Sequence, residues 1–375
     1  MAIKKIGLIV NPIAGVGGRV GLKGSDGEEV VKKALELGAV PSSPLRAIEA
    51  LVRLRSIKDT IEIVAPPLDM GETEARESGF SPTVLQMDVS IGRTSAEDTR
   101  AAARMMLELA VDIILFAGGD GTARDIFEAV GPKAVVLGIP AGVKIHSAVY
   151  AVNPRSAGDL AAMYLRDERV EIRESEVMDV DEEAFRDGRL SARLYGYLRV
   201  PYEQNLVQNA KSGSPAADAN ATEEIAHYIV DTMEKETVYV VGPGTTTRPI
   251  VEKLGLKKTL LGVDVIQGSS LLVADASERK ILEAISGRSA KIIVSIIGGQ
   301  GFVFGRGSQQ ISPEVIRSVG RENIVIISTP AKLAFLGGKP LLVDTGDIQT
   351  DKMLGGYHKV VTGYGRRAAY RVKSA

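Results

Sequence analysis

With 375 residues the chain has room for two or three domains and a sizeable core. Its 46 Lys+Arg against 47 Asp+Glu leave a net charge of −1, which argues against nucleic-acid binding driven by bulk charge. The absence of cysteine excludes disulfides, thiolate metal sites, iron–sulfur clusters and cysteine nucleophiles, and the three histidines, His146, His227 and His358, are too far apart for a local zinc helix.

The apolar run Ile6–Val10 is too short for the ~7–15-residue core of a signal peptide and reads as a buried strand. No window approaches the ~20 uninterrupted apolar residues of a membrane span, so a soluble, cytoplasmic protein is expected. Further apolar runs follow at Ile61–Val64, Val84–Met87, Val111–Ala117 and Ala134–Ile139, with amphipathic segments between them. Pro44 opens one helix after Ser42-Ser43, with Leu45, Ile48, Leu51 and Val52 on its apolar side. Thr94-x-x-Glu97 reads as the capping box of another, whose apolar face carries Thr99, Ala103, Met106 and Leu109. Strands alternating with helices imply an α/β fold here, a doubly wound parallel-sheet domain over 1–168.

Beyond Arg169 the period falls to two. Val177–Val180 and Leu190–Val200 flank Asp187-Gly188, a hairpin signal because a two-residue primed turn needs positive φ. Asn209–Ala221 is small and polar and reads as a linker or mobile loop. Strand signals then recur at Thr237–Val241, Leu260–Ile266, Lys291–Ile297, Phe302–Phe304, Asn323–Ile327 and Leu341–Val343, with a helix over Glu278–Ile285. The basic tail from Arg366 to Lys373 reads as a solvated end. This second part, 169–375, is expected to be β-rich and α/β, a substrate domain.

Glycine is the compositional outlier, 40 of 375 residues against a usual ~7%, and its clusters follow strands. The first, Gly118-Gly119-Asp120-Gly121-Thr122, joins a buried strand to a helix expected over Ala123–Val130. Glycines there permit positive φ and close approach of phosphate oxygens to main-chain N–H groups, and the helix dipole adds positive potential. A carboxylate inside such a cradle is repelled by phosphate. Asp120 makes sense there as a ligand of Mg²⁺ or as the base that takes a proton from an attacking hydroxyl, or else as a helix cap.

A second cluster, Asn11–Arg19, follows the first strand, and loops after parallel strands share one sheet edge, so Asn11 and Gly15 can face the same crevice as Asp120. Arg19 and Lys23 are either phosphate contacts or solvated charges. In the third cluster, Gly244, Thr245, Thr246 and Thr247 either offer hydroxyls to phosphate or ribose or form a Thr-capped turn, and the Walker ending is missing. The fourth, Gly298–Gly307, frames Arg306, which either forks onto a phosphate or sits in a hairpin turn. His146 has no nucleophile near it in sequence and reads as structural.

The pairing of Asn11-Pro-x-Ala-Gly15 with Gly118-Gly-Asp-Gly-Thr122 resembles the superfamily of NAD kinases, diacylglycerol and sphingosine kinases, and 6-phosphofructokinases. The longer strings Val10-Asn-Pro-Ile-Ala-Gly-Val-Gly-Gly-Arg19, Phe116-Ala-Gly-Gly-Asp-Gly-Thr-Ala-Arg-Asp125, Gly242-Pro-Gly-Thr-Thr-Thr247 and Gly301-Phe-Val-Phe-Gly-Arg-Gly307 are similar to the ATP- or polyphosphate-dependent NAD kinase-like branch, which includes acetoin-catabolism-type members. The resemblance spans nearly the whole chain.

It implies an NAD kinase-like fold and a phosphotransferase that uses ATP or polyphosphate, with Mg²⁺, on a hydroxyl, most simply the 2′-hydroxyl of NAD to give NADP. Asp120 then matches the catalytic acid, and Asn11, Gly15, Gly118, Gly119, Gly121, Thr122, Gly244, Thr245, Thr246, Thr247 and Arg306 are the candidate nucleotide- or substrate-binding residues. The Asn-Glu pair that holds the dinucleotide in NAD kinases has no counterpart at the start of the β-rich part. Glu176, Asp179 and Asp181 either stand in for it or are exposed strand-end charges. A lipid or other small-molecule kinase and a non-catalytic nucleotide sensor stay open as alternatives, whereas Gly15-x-Gly17-Gly18 has the wrong spacing for a dinucleotide oxidoreductase. The expected partner is a small-molecule nucleotide, not nucleic acid or membrane, and homo-oligomerisation is left open.

Overall fold

The computed structural model describes residues 3–18, 20, 28–92, 94–142, 145–168, 170–180, 192–203, 206–207, 218–259, 262–297 and 300–375. The chain forms two compact units, one from residues 1–16 and 40–210, the other from 17–39 and 211–375.

In the first unit β1 (Lys4–Val10), β2 (Ile61–Ala65), β3 (Thr83–Val84), β4 (Ile113–Gly118) and β5 (Val136–Pro140) form one parallel sheet in the order β3-β2-β1-β4-β5. The strands read as unbroken apolar runs because helices cover both faces: every residue of β4 and of β5 is buried. The order reverses direction at β1, so the crevice beyond the ends of β1 and β4 is the switch point where ligands bind in such sheets.

The α-helices described before residue 170 are α1 (Glu28–Glu36), α2 (Ser43–Leu54), α3 (Glu72–Glu77), α4 (Ala96–Glu108), α5 (Asp120–Val130) and α6 (Pro154–Leu165), of which α1 belongs to the second unit. Three local expectations need correction. In α2 the core face is Ala47, Ala50, Leu51 and Leu54, while Leu45 and Val52 are exposed. Small residues win because α6 comes so close that a Cβ on Gly158 would lie 2.2 Å from the Ala50 carbonyl oxygen. The capping box of α4 is Ser95 with Asp98, one residue later than expected, and Glu97 is drawn instead to Arg100 and Arg104. Leu109, assigned to the apolar face of that helix, is partly exposed beyond its end.

β6 (Glu171–Val180) and β7 (Ala192–Tyr202) pair antiparallel as a two-stranded ribbon within the first unit. The Asp187-Gly188 turn lies outside the described residues. In the second unit, a helix over Asp218–Asp231 takes up the last residues of the segment expected to be a linker. Among the described residues nine strands form its sheet, in the order β10 (Ser270–Val273), β9 (Asp264–Gln267), β8 (Val238–Val241), β11 (Ala290–Ser295), β13 (Ile324–Ile327), β15 (Gly356–Gly363), β16 (Arg366–Ser374), β14 (Leu341–Val343), β12 (Phe302–Phe304). β8 (Val238–Val241), β11 (Ala290–Ser295), β13 (Ile324–Ile327) and β15 (Gly356–Gly363) run parallel through the middle. The basic tail is not a loose end: β16 (Arg366–Ser374) pairs with both β15 and β14 (Leu341–Val343), turning Ala368, Tyr370 and Val372 inward and Arg367, Arg371 and Lys373 outward.

One buried acid in the first unit gives the fold a pH dependence. Glu74, on α3, is 2% exposed, and its Oε2 has no hydrogen-bond partner. Burial pushes its carboxyl up to about 7, helped by the nearby charges of Asp69 and Glu77 and opposed by main-chain hydrogen bonds. The folded chain therefore keeps a proton that the unfolded chain gives up from its ordinary value of 4.5, and stability is lost as pH rises from there through about 7. Glu74→Gln is expected to unfold at higher urea than wild type at pH 8, by about 2–3 kcal/mol, with the gap closing near pH 4. An equal gap at both pH values would mean that Glu74 does not carry this proton.

Candidate active site

At the crevice of the first sheet three loops meet, those after β1, β4 and β5. The chain leaves β4 at Gly118 and enters α5 at once, so that the helix begins at Asp120 and not three residues later. Gly119 is the N-cap and no side chain caps the helix, which removes the reading of Asp120 as a cap. The glycines here are not used for positive φ: neither Gly118, Gly119 nor Gly121 has it. They are needed for proximity. A Cβ on Gly118 would lie 2.4 Å from Thr122 Oγ1, and one on Gly142, in the loop after β5, would lie 2.7 Å from Gly119 Cα.

The loops are stitched together by short hydrogen bonds. Ala141 N and Gly142 N both donate to the Gly118 carbonyl at 3.0 Å, and the hydroxyl of the buried Tyr150 donates to the Gly119 carbonyl. Asn11 Nδ2 donates to Thr122 Oγ1 at 3.0 Å, bracing the β1 loop against the first turn of α5. Ser43 Oγ donates to the Asn11 carbonyl and Ser42 Oγ to the Ala141 carbonyl, so the two serines start α2 as expected while their hydroxyls hold these loops. Gly15 does take positive φ, +79°, where a Cβ would meet Ser42 Oγ and the Ala141 carbonyl oxygen. Arg19 and Lys23 lie outside the described residues.

Asp120 is the charged group at this junction, 5% exposed. Its Oδ2 accepts from His146 N at 2.7 Å and its Oδ1 from Ser147 N at 3.0 Å, while His146 Nδ1 lies 3.2 Å from Oδ2. His146, read from sequence as structural, is therefore a direct partner of the candidate acid. Its loop is fixed in turn by Ser147 Oγ, which donates to the Met178 carbonyl on β6 at 2.8 Å. Of the acids considered as substitutes for an Asn-Glu pair, Asp179 is paired with Arg124 of α5 at 2.7 Å, and Asp181 lies outside the described residues.

The remaining candidates sit in the second unit. Thr247 Oγ1 lies 2.8 Å from the Gly242 carbonyl oxygen and 3.0 Å from that of Gly244, clamping its own turn, while Thr246 Oγ1 accepts from Lys332 Nζ at 2.7 Å. Thr245 is exposed and Gly244 has a φ of +119°. Arg306 is buried, its guanidinium 5.0 Å from the Phe302 ring centre and 3.7 Å from Asp344 Oδ2. The hairpin reading of its glycine run fails, because β12 (Phe302–Phe304) pairs with β14 in parallel. Lys332 carries no local signal in the sequence, because its partner Thr246 lies 86 positions away.

Among the described residues no group of three or more His, Asp or Glu is arranged to hold a metal ion, and no helix is long and apolar enough to cross a membrane. Mg²⁺ keeps most of its waters and takes one or two carboxylates plus phosphate oxygens, so a site for it beside Asp120 would need a bound phosphate.

No curated protein matches the chain. Among solved structures, a candidate diacylglycerol kinase of Bacillus anthracis str. Sterne aligns with 64% of this chain at 13% identity and a TM-score of 0.26. The match spans 60% of that protein's own length. The family models are more extensive, the ATP-NAD kinase N-terminal domain matching residues 6–169 and the ATP-NAD kinase C-terminal domain residues 234–372. With both domains in order along an NAD kinase-like α/β fold, the chain belongs to the ATP-NAD kinase family.

Proposed function

We propose that the chain transfers a phosphoryl group from ATP or polyphosphate to a hydroxyl, with the 2′-hydroxyl of NAD as acceptor and NADP as product. The observation that carries this reading is the buried Asp120 carboxylate, held by main-chain N–H groups at the start of α5 in the switch-point crevice. A donor phosphate placed at the glycine loop would lie beside main-chain N–H groups and a helix N-terminus, and Asp120 would take the proton of the attacking hydroxyl. Mg²⁺ bound with the donor would neutralise charge on the phosphates. Gly244, Thr245, Thr246 and Arg306 are the second unit's candidates for binding nucleotide, with Lys332 added to them by its contact with Thr246. Thr247 is better assigned to the turn.

One observation favours a nucleotide sensor instead: both oxygens of Asp120 already accept main-chain hydrogen bonds. Turnover decides between the two. Purified protein with NAD, Mg²⁺ and either ATP or polyphosphate is expected to form NADP, detected by a coupled dehydrogenase, beside a panel of lipid and polyol acceptors. Phosphorylation of a lipid alone would move the assignment to a lipid kinase, and nucleotide binding without transfer to any acceptor would make the protein a sensor.

A further inference from the structure

His146 is the buried titratable group that the kinase reading leaves without a task. Two nitrogens of this one residue converge on Asp120 Oδ2, its main-chain N at 2.7 Å and its ring Nδ1 at 3.2 Å, and both side chains are almost fully buried. To an ionised carboxylate, which only accepts hydrogen bonds, Nδ1 would donate and Nε2 would be left as a lone pair. That Nε2 is buried and has no hydrogen-bond partner among the described residues. Hiding an unmet polar atom is destabilising, and an apolar side chain of similar size would avoid the cost. Packing alone does not account for an imidazole here; the bond made by Nδ1 does.

We propose that His146 is a positioning residue for Asp120, an inference that rests on reading the site as a kinase centre. A carboxylate has about four lone-pair sites. Oδ2 spends two on His146 and Oδ1 spends one on Ser147 N, which leaves a lone pair on Oδ1 for the proton of the acceptor hydroxyl. In the transfer that proton passes to Oδ1 as the hydroxyl oxygen bonds to phosphorus. The P–O bond to the leaving nucleoside diphosphate, or to the shortened polyphosphate, breaks with it. The Nδ1 proton stays on the ring and keeps the carboxylate from turning about its Cβ–Cγ bond, which fixes the direction of Oδ1.

Side-chain variants isolate the ring, since the main-chain donors of residues 146 and 147 survive them. His146→Asn puts a side-chain N–H near the place of Nδ1, whereas the amide of His146→Gln reaches toward that of Nε2. With the full chain and the acceptor that wild type uses, His146→Gln is expected to lose about ten- to a hundredfold in kcat with KM changed less than about twofold. His146→Asn is expected to recover kcat to within about threefold of wild type. Wild-type kcat in both variants overturns the proposal, and so does an equal loss in both, the mark of a packing role.

A second readout needs no turnover. With three histidines in the chain, nitrogen-15 ring resonances can be assigned by single substitutions. His146 is expected as the Nδ1–H tautomer, distinct from His358, whose Nε2 lies 2.7 Å from the Leu354 carbonyl oxygen. An Nε2–H tautomer at His146 overturns the proposal whatever the activity. Absence of transfer by wild type to every acceptor would instead bring down the kinase reading, and the tautomer alone would then decide whether the Asp120–His146 bond exists.

Discussion

The Asp120→Asn variant is expected to lose about 10²–10⁴-fold in kcat with whichever acceptor the wild type uses, the usual worth of a general base. The substitution keeps the shape and removes the charge, but it does not keep the hydrogen bonds. His146 N and Ser147 N each point at one carboxylate oxygen, and an amide has only one oxygen to offer, so its NH₂ must face a main-chain N–H. A donor left unmet in a buried site costs about 1–3 kcal/mol of stability. Rates therefore have to be compared at a temperature where circular dichroism shows the variant fully folded, with nucleotide affinity measured on the same sample. A loss in kcat with affinity kept is the signature of chemistry at Asp120. Parallel loss of both would report a collapsed loop, and turnover near that of wild type would sink the catalytic assignment. Helix capping cannot rescue the bland alternative, because the N-cap is Gly119.

The elements that carry this argument were legible to different degrees. β1, β2, β4 and β5 announced themselves as short apolar runs because both faces of their sheet are covered, and the glycine run was found at the β4–α5 junction. Positive φ was expected, but the space between Gly119 and Gly142 is what excludes a Cβ, and such an approach of two distant loops leaves no mark in local spacing. The bond between Asp120 and His146 was missed for the same reason. The two residues are 26 positions apart and meet because β4 and β5 are neighbours in the sheet, a relation that becomes available only once strand order is known. The signal for β16 was present and overlooked. Ala368, Tyr370 and Val372 alternate with Arg367, Arg371 and Lys373 at period two, and the basic residues that suggested a solvated end are the outward face of a paired strand.

The second unit holds an interaction whose loss is expected to cost about as much free energy as the rate loss expected of Asp120→Asn. Lys258 and Asp264 form an ion pair at 2.9 Å with both side chains wholly buried. The ammonium also donates to the Thr259 carbonyl at 2.8 Å and to the Gly262 carbonyl at 2.9 Å, which uses all three of its protons. Asp264 at the start of β9 (Asp264–Gln267) accepts from Thr259 N at 2.8 Å and Asp275 N at 2.9 Å. A pair so completely satisfied adds little over an apolar one of equal volume, yet removing one partner strands the other in a medium that cannot solvate it. Lys258→Met keeps the stem and deletes the charge, leaving a buried carboxylate without its cation and taking one donor each from the Thr259 and Gly262 carbonyls. The expected destabilisation is about 3–5 kcal/mol, read as a shift of the urea midpoint for unfolding of the full chain. Adding Asp264→Asn to Lys258→Met should recover part of that loss, because the orphaned charge is then gone. If Lys258→Met unfolds at the wild-type midpoint, or if the double variant is no better than the single one, the ion pair is not what holds the segment from Lys258 to Asp275 in place.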